Sequence, residues 1–309
     1  MKLLFVIPHY FKPKPGNVMN NSLRASARGD RTAALAQTIA SLHRLYGRMV
    51  CGLDHSRNVA FQAAPPQRHE LDIIVCTIGD DHLLNELPLS PTLYRQAKIT
   101  YDPEMLGFAA HQVMGVVKDR YDYYCYLEDD IGMVDPLFFV KRRLFDAAFG
   151  PEALLQPNRF ETSNEVCAFK TYVDYALHEL RTAAYQNLAD QPQLSMPFLG
   201  EDIRFERSSY PAAGSFFLSA AQFDRWRATA AFNDQDTSFI GPLDSAATLS
   251  IMKTFRVYKP ALDQGWFLEV EHLSPRWTAT IGKEVPMVLR EIPFAELPAL
   301  EPVAPPNDA

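Results

Sequence analysis

The chain contains short segments that are apolar almost throughout, and these restrict its possible folds more than any other feature. The segments 3–7, 71–77 and 123–127 are of this kind, which is typical of strands buried on both faces in parallel sheets. Between them, apolar residues recur at helical spacing over 35–46, with Asp30 as the predicted N-cap and Gly47 as the predicted end. Further helical patterns cover 108–118 and 137–144, the latter after Asp135 as its predicted N-cap. The alternation of strands and helices predicts an α/β domain with a mostly parallel sheet.

The second half of the chain, residues 151–291, has a more mixed pattern. It predicts a strand at 214–218, a helix from 220 to about 231, a helix at 245–253 and a strand at 255–258. We expect this half to share one sheet with residues 1–150, so that 1–291 forms a single domain. The last segment, 292–309, contains five prolines and is predicted to be a poorly packed tail.

Charge and cysteine usage bear on partners and compartment. The formal net charge is −7 and the basic residues do not form runs, so the electrostatic footprint of a nucleic-acid-binding protein is missing. No segment has the apolar length of a transmembrane helix, and the first apolar run is too short for a signal peptide. The four cysteines lack CxxC spacing, which favours reduced thiols and a cytoplasmic protein.

Three adjacent acids, Glu128, Asp129 and Asp130, directly follow the apolar segment 123–127. Two like charges ~4 Å apart repel by about 1 kcal/mol even in water, so a cation is expected among them. Carboxylate oxygens are the ligands that Mg²⁺ and Mn²⁺ prefer, and ligands of α/β sheets bind at the carboxyl ends of the strands. The alternative is a solvated acidic turn before Asp135. The position after a buried strand favours a divalent cation site.

Four segments, in order, resemble those of one enzyme class. They are FVIPHY, YCYLEDDIGMVDPLFF, AAGSFFLSAAQF and GPLDSAATLSIMKTFRVYKP. They resemble the first strand, the DXD strand with its helix, the acceptor-side strand and helix, and the base-bearing segment of GT-A glycosyltransferases, in particular family 2-like members. The resemblance covers roughly residues 1–275. It implies a GT-A-like, Rossmann-type mixed and mostly parallel sheet flanked by helices, with a nucleotide-binding half (1–150) and an acceptor-binding half (151–291).

The activity that this resemblance implies is sugar transfer from a UDP- or GDP-sugar to a hydroxyl of a glycan or other acceptor, with Mn²⁺ or Mg²⁺. By the same resemblance Asp130 binds the metal, Glu128 contacts the ribose or a metal-bound water, and Asp129 takes either role. His272, in EVEHLSPRW, matches the additional metal ligand of the family. The alternative for His272 is a hydrogen-bonded structural histidine.

Asp244 matches the position of the catalytic base in inverting members of the family. Leu243 stands where those members carry a glutamate, which leaves the base and the stereochemical course open. The alternative for Asp244 is an N-cap of the helix that starts at Ser245.

Nucleotide contacts are expected after the first two strands. The resemblance points to Pro8, Tyr10 and either Asp80 or Asp81, although Asp80 could equally begin a turn. Guanidinium groups pair well with phosphate oxygens, so Arg31 is a candidate for the diphosphate.

Two other functions remain open from the sequence. A sugar-phosphate nucleotidyltransferase has a related layout, but it normally needs a glycine-rich phosphate loop, and IPHYFKPKPG contains a single glycine. A degenerate member that binds glycan without turnover is the second alternative, because the glutamate before Asp244 is missing.

Overall fold

The computed structural model describes residues 1–16, 21–48, 50–63, 69–117, 120–163, 169–177 and 182–287. The strands are β1 (Lys2–Pro8), β2 (Val50–Asp54), β3 (Val59–Ala63), β4 (Glu70–Ile78), β5 (Arg95–Ile99), β6 (Tyr123–Leu127), β7 (Ile131–Met133), β8 (Ala153–Leu155), β9 (Asn158–Thr162), β10 (Lys170–Tyr172), β11 (Gln193–Phe198), β12 (Glu201–Arg207), β13 (Ser215–Ser219), β14 (Arg256–Pro260) and β15 (Glu269–His272). The helices are α1 (Arg28–Tyr46), α2 (Leu106–Val116), α3 (Phe138–Phe149), α4 (Ala220–Arg227), α5 (Pro242–Asp244) and α6 (Ser250–Met252), with a π-helical turn, Ser245–Leu249, between the last two.

The central sheet has the strand order β13-β6-β1-β4-β5. β6, β1, β4 and β5 are parallel to one another, and β13 pairs antiparallel with β6. The predicted α/β class with a mostly parallel central sheet is therefore confirmed. β13 comes from the second half of the chain, whereas the other four strands of this sheet come from the first half.

Alternate residues of β1 pack into two separate cores. Phe5 and its neighbours on the same face contact the apolar residues of α1 and α3. Val6 and the opposite face contact α2, α4 and the helical segment 242–252. Helices thus cover both faces of the central sheet, which explains why residues 3–7 of β1 are apolar on both faces.

His111 of α2 lies in the second core. Its side chain is fully buried, its Nε2 is 2.9 Å from Ala246 O, and its ring packs edge-on against Trp226. Burial lowers the pKa of His111 to about 4, although the hydrogen bond to Ala246 opposes the change.

The described residues form three smaller sheets as well. Their orders are β10-β9-β15-β7, β11-β12-β14-β8 and β2-β3. β7 follows the three acids directly and pairs with β15, so that His272 lies opposite Ile131. The first of these sheets therefore brings the end of the domain beside the end of β6.

Two predicted helix starts are wrong by a few residues. α1 begins at Arg28, after 3₁₀ turns at Asn21–Leu23 and Ala25–Ala27, and Asp30 lies in its first turn. α3 begins at Phe138, and Asp135 Oδ1 instead accepts a hydrogen bond from Leu137 N at 2.7 Å. Asp30 still adds negative charge near the positive end of the α1 dipole.

The next observations concern membrane-spanning helices, the cysteines and the C-terminal tail. None of the helices within the described ranges combines the length and apolar character needed to cross a bilayer. Cys51, Cys76 and Cys125 are free thiols. Cys167 and the predicted tail 292–309 lie outside the described residues.

Candidate functional site

The acidic turn, Glu128, Asp129 and Asp130, lies at the carboxyl end of β6 and is held from three sides. Its carboxylates are largely buried, with 12%, 8% and 16% of their side-chain surfaces exposed. Hydrogen bonds from other elements fix its backbone: Glu128 N donates to Gly214 O at 2.9 Å, Thr38 Oγ1 to Asp129 O at 3.2 Å, and Leu273 N to Asp130 O at 2.8 Å. The alternative of a solvated acidic turn is therefore wrong.

Asp129 is engaged by two basic side chains. Its Oδ2 lies 2.5 Å from His9 Nδ1 and also accepts a hydrogen bond from Arg31 Nη2. The backbone N–H of Leu83 points to His9 Nε2 at 3.0 Å. Because a backbone N–H can only donate, Nε2 is the acceptor of the ring and Nδ1 carries the proton given to Asp129.

Arg31 also reaches the next acid. Its Nη1 lies 3.0 Å from Asp130 Oδ2, so one guanidinium bridges Asp129 and Asp130. Burial opposes the positive charge, but the neighbouring Asp129 and Asp130 raise the pKa of Arg31 above its usual value. Arg31 thus places a positive charge between Asp129 and Asp130.

Asp130 faces His272, and a second acid holds the far side of that ring. Asp130 Oδ2 is 3.6 Å from His272 Nε2, while His272 Nδ1 is 2.7 Å from Glu161 Oε1. Burial opposes ionisation of both partners, but the nearby His272 and Arg31 hold the pKa of Asp130 well below its usual range. The nearby Asp130 and the hydrogen bond to Glu161 raise the pKa of His272 to about 9.

Glu161 is a fully buried side chain of β9. Its Oε2 accepts hydrogen bonds from the backbone N–H groups of Trp277 at 2.8 Å and Thr278 at 2.7 Å. Burial raises the pKa of Glu161. These two bonds and the one to His272 lower it by a larger amount, so the net shift of the pKa is downward. Glu161 therefore stays ionised and fixes the orientation of the His272 ring.

The remaining acid of the turn, Glu128, points to a different group. Its Oε2 lies 3.7 Å from Arg159 Nη1, and Arg159 is held by Asp174 through two hydrogen bonds of 2.8 Å. Gly214 has φ +60°, and a Cβ there would lie 2.7 Å from Glu128 Oε2. Burial raises the pKa of Glu128 to about 8, with Arg159 opposing the change.

Asp244 lies close enough to this group to interact with it electrostatically. Burial raises the pKa of Asp244, Arg159 opposes the change and Asp174 adds to it. Asp244 belongs to α5, whose N-cap is Gly241, and its side chain makes no capping hydrogen bond. The interpretation of Asp244 as a cap of the Ser245 helix is therefore wrong.

The predicted nucleotide contacts lie at the end of β1 and after β4. Pro8 is the last residue of β1, and Tyr10 follows in a partly buried position. Asp80 is exposed and pairs with Lys98 at 2.7 Å. Neither Tyr10 nor Asp80 has a hydrogen bond to the acidic turn within the described residues.

Among the predicted site residues, the structure joins Asp129, Asp130, Arg31 and His272 in one network of ion pairs. Glu128 belongs to a second, adjoining network through Arg159. Several members of these networks carried no sequence signal. Glu161 and Asp174 lie in ordinary polar positions of the sequence, and no pattern singles out His9, which stands between the predicted nucleotide contacts Pro8 and Tyr10. These additional members are His9, Arg159, Glu161 and Asp174.

The resemblance implies a divalent cation at the acidic turn, and its donor atoms would come from the side chains there. In the parts of the chain that the structure describes, no group of three His, Cys, Asp or Glu side chains is arranged to hold a metal ion. Asp130 Oδ2 and His272 Nε2 are 3.6 Å apart, and two ligands of an octahedral Mg²⁺ lie about 3 Å apart in cis and about 4 Å apart in trans. The 3.6 Å separation lies between these two values, so the pair does not have octahedral spacing as it stands. It offers two donor atoms, and a cation held by them would take its other ligands from water and phosphate oxygens.

Comparison with models of known protein families found no match, and a search of curated proteins found no similar sequence. The fold and the site define an α/β protein with a buried network of charged side chains at the carboxyl edge of its central sheet.

Proposed function

We propose that the chain is a metal-dependent glycosyltransferase that moves a sugar from a UDP- or GDP-sugar to a hydroxyl group of a glycan or other acceptor. The observation that carries the proposal is the pair formed by Asp130 and His272 beside the end of β6, with Nδ1 of His272 engaged by buried Glu161. A histidine held by a carboxylate in this way is typical of metal ligands. The ordered resemblance to GT-A enzymes supports the same assignment.

Asp130 and His272 would hold Mn²⁺ or Mg²⁺, which would neutralise the negative charge that develops on the departing diphosphate. Glu161 keeps the Nε2 atom of His272 directed at Asp130. Because a histidine ligand must be unprotonated, binding of the cation requires His272 to give up its Nε2 proton. Arg31 lies beside Asp130 and offers guanidinium N–H groups to phosphate oxygens.

On the acceptor side, Asp244 is the proposed base. Its raised pKa makes its carboxylate a stronger acceptor for the proton of an attacking hydroxyl. Glu128 is the proposed contact of the ribose, since it is held at the same edge by Gly214 O and Arg159.

One observation favours a second candidate, a degenerate member that binds glycan without turnover. Each acid of the acidic turn already has a basic partner within the protein: Arg159 for Glu128, His9 and Arg31 for Asp129, and Arg31 and His272 for Asp130. Such a network could be stable without any metal.

Nucleotide binding tests the proposal. We expect Mn²⁺ together with UDP or GDP to raise the melting temperature, because a ligand of the native state stabilises it, and Asp130→Asn to abolish the increase. Asp224→Asn is the matched control, since Asp224 forms an exposed ion pair with Arg120 on the surface. An equal response of the Asp130 variant and the control would contradict the proposed site.

Turnover distinguishes the candidates. A glycosyltransferase releases nucleotide from a nucleotide-sugar in the presence of an acceptor. The melting temperature of a glycan-binding member rises with glycan alone, and such a protein releases no nucleotide. Consumption of a nucleoside triphosphate together with a sugar phosphate would instead identify a nucleotidyltransferase.

A further inference from the structure

Arg31 is the only residue of the described chain whose ion pairs join two acids of the acidic turn. It lies in the first turn of α1, and only 12% of its side chain is exposed. Its guanidinium approaches Asp129 with Nη2 and Asp130 with Nη1. An arginine placed in this way neutralises part of the charge that would otherwise attract a divalent ion.

Asp129 holds the guanidinium in place. The same Oδ2 atom that accepts from Arg31 Nη2 also accepts from His9 Nδ1, and the His9 ring is fixed by the N–H of Leu83. The carbonyl of Asp129 is bound by Thr38 from α1. Asp129 is therefore an anchor for Arg31, with both its side chain and its backbone engaged inside the protein.

Two basic groups, from Arg31 and His272, lie near the Oδ2 atom of Asp130. It accepts from Arg31 Nη1 at 3.0 Å and faces His272 Nε2 at 3.6 Å. A cation coordinated by this oxygen and by His272 repels the guanidinium and needs the same lone pairs. The cation and Arg31 Nη1 are consequently alternatives at Asp130.

We propose that Arg31 is a built-in counter-cation that competes with the divalent cation for Asp130, so that the site binds the cation weakly until a diphosphate is also present. The proposal rests on the proposed function in one respect, namely that Asp130 binds a divalent cation. When the cation takes Asp130, Nη1 loses its partner while Nη2 remains with Asp129. A diphosphate oxygen then provides the replacement acceptor, which makes binding of the cation and of the diphosphate mutually favourable.

Removal of the charge is the direct test, read as Mn²⁺ binding by electron paramagnetic resonance without any substrate. A nearby opposite charge typically changes the affinity of a carboxylate for a proton by about ten- to a thousandfold, and we expect Arg31→Gln to bind Mn²⁺ at least about tenfold more tightly than the wild type. Arg31→Lys keeps a positive charge and is the milder change, so a smaller increase is expected. It keeps the test available if the Gln variant does not fold.

Two further variants locate the effect. Arg44→Gln makes the same change at an exposed position of α1 and is expected to leave Mn²⁺ binding unchanged. Adding Asp130→Asn to Arg31→Gln is expected to remove the gain. We also expect UDP to tighten Mn²⁺ binding by a larger factor in the wild type than in Arg31→Gln.

The outcomes separate this proposal from the proposed function. Tighter binding in Arg31→Gln that depends on Asp130 supports it. Equal or weaker binding in Arg31→Gln, with wild-type binding still dependent on Asp130, overturns the role of Arg31 and leaves the metal site standing. Absence of Mn²⁺ binding in every variant, with or without UDP, overturns both.

Discussion

Replacing Glu161 by glutamine changes a single atom of the site and has a specific consequence for His272. Trp277 N and Thr278 N both donate to Oε2 of Glu161, and only the amide oxygen of a glutamine can take that place. The amide NH₂ then faces His272 Nδ1, so that Nδ1 must accept a hydrogen bond from it. The ring proton is confined to Nε2, the atom proposed to bind the cation.

The size of the effect follows from the hydrogen bonds that change. Hydrogen bonds to charged groups contribute about 1.5–3 kcal/mol and neutral ones about 0.5–1.5 kcal/mol, and Glu161 accepts three at 2.7–2.8 Å. We expect Glu161→Gln to lower the free energy of unfolding by about 1–3 kcal/mol, and Glu161→Ala, which strands two backbone N–H groups, by about 3–5 kcal/mol. Loss of such an orienting carboxylate typically weakens metal binding about 10–100-fold.

The assay compares urea unfolding with Mn²⁺ binding in the same preparations. Glu271→Gln is the matched control, because Glu271 is the neighbour of His272 on β15 and contacts the surface residue Thr162 instead. We expect it to retain both stability and Mn²⁺ affinity. If Glu161→Gln binds Mn²⁺ as tightly as the wild type, the assignment of Nε2 of His272 as a ligand is refuted.

Three further predictions concern other parts of the molecule. Because the pKa of His111 is lowered to about 4 in the folded protein, the unfolded chain binds more protons than the folded chain below pH 6.5. We therefore expect the free energy of unfolding to fall between pH 6.5 and 4, and this fall to be about 2–3 kcal/mol smaller in His111→Phe, as measured by urea unfolding at pH 7 and pH 4.5. Gly214→Ala should destabilise by more than Gly200→Ala in the same assay, because both glycines have positive φ but only the Cβ at Gly214 meets Glu128. Asp80→Asn should leave the free energy of unfolding unchanged in the same assay, since its ion pair is exposed; a weaker UDP-induced thermal shift in this variant would support its predicted nucleotide contact.

The sequence predicted those features that depend on local pattern. β6 and the acids at its end followed from an apolar run that stops abruptly, and the burial of the acidic turn agrees with that interpretation. β13 also followed from its strand pattern, since its residues 216–218 are apolar and buried like the inner strands.

The partners of the acids could not be predicted in the same way. Glu161 is 111 positions from His272, and His9 is 120 positions from Asp129. These contacts arise from the pairing of β9 with β15 and of β1 with β6, so no short sequence window contains both partners. The start of α1 was misplaced because 3₁₀ turns precede the helix, and helix ends are weakly specified by sequence.

The central claim is that Asp130 takes part in metal-dependent cleavage of a nucleotide-sugar. Its most direct test is release of free nucleotide from a panel of UDP- and GDP-sugars with Mn²⁺, measured for the wild type and for Asp130→Asn. The account predicts release by the wild type that stops when Mn²⁺ is chelated and is lost in Asp130→Asn. Release that continues without any divalent ion, or that persists in Asp130→Asn, would contradict it.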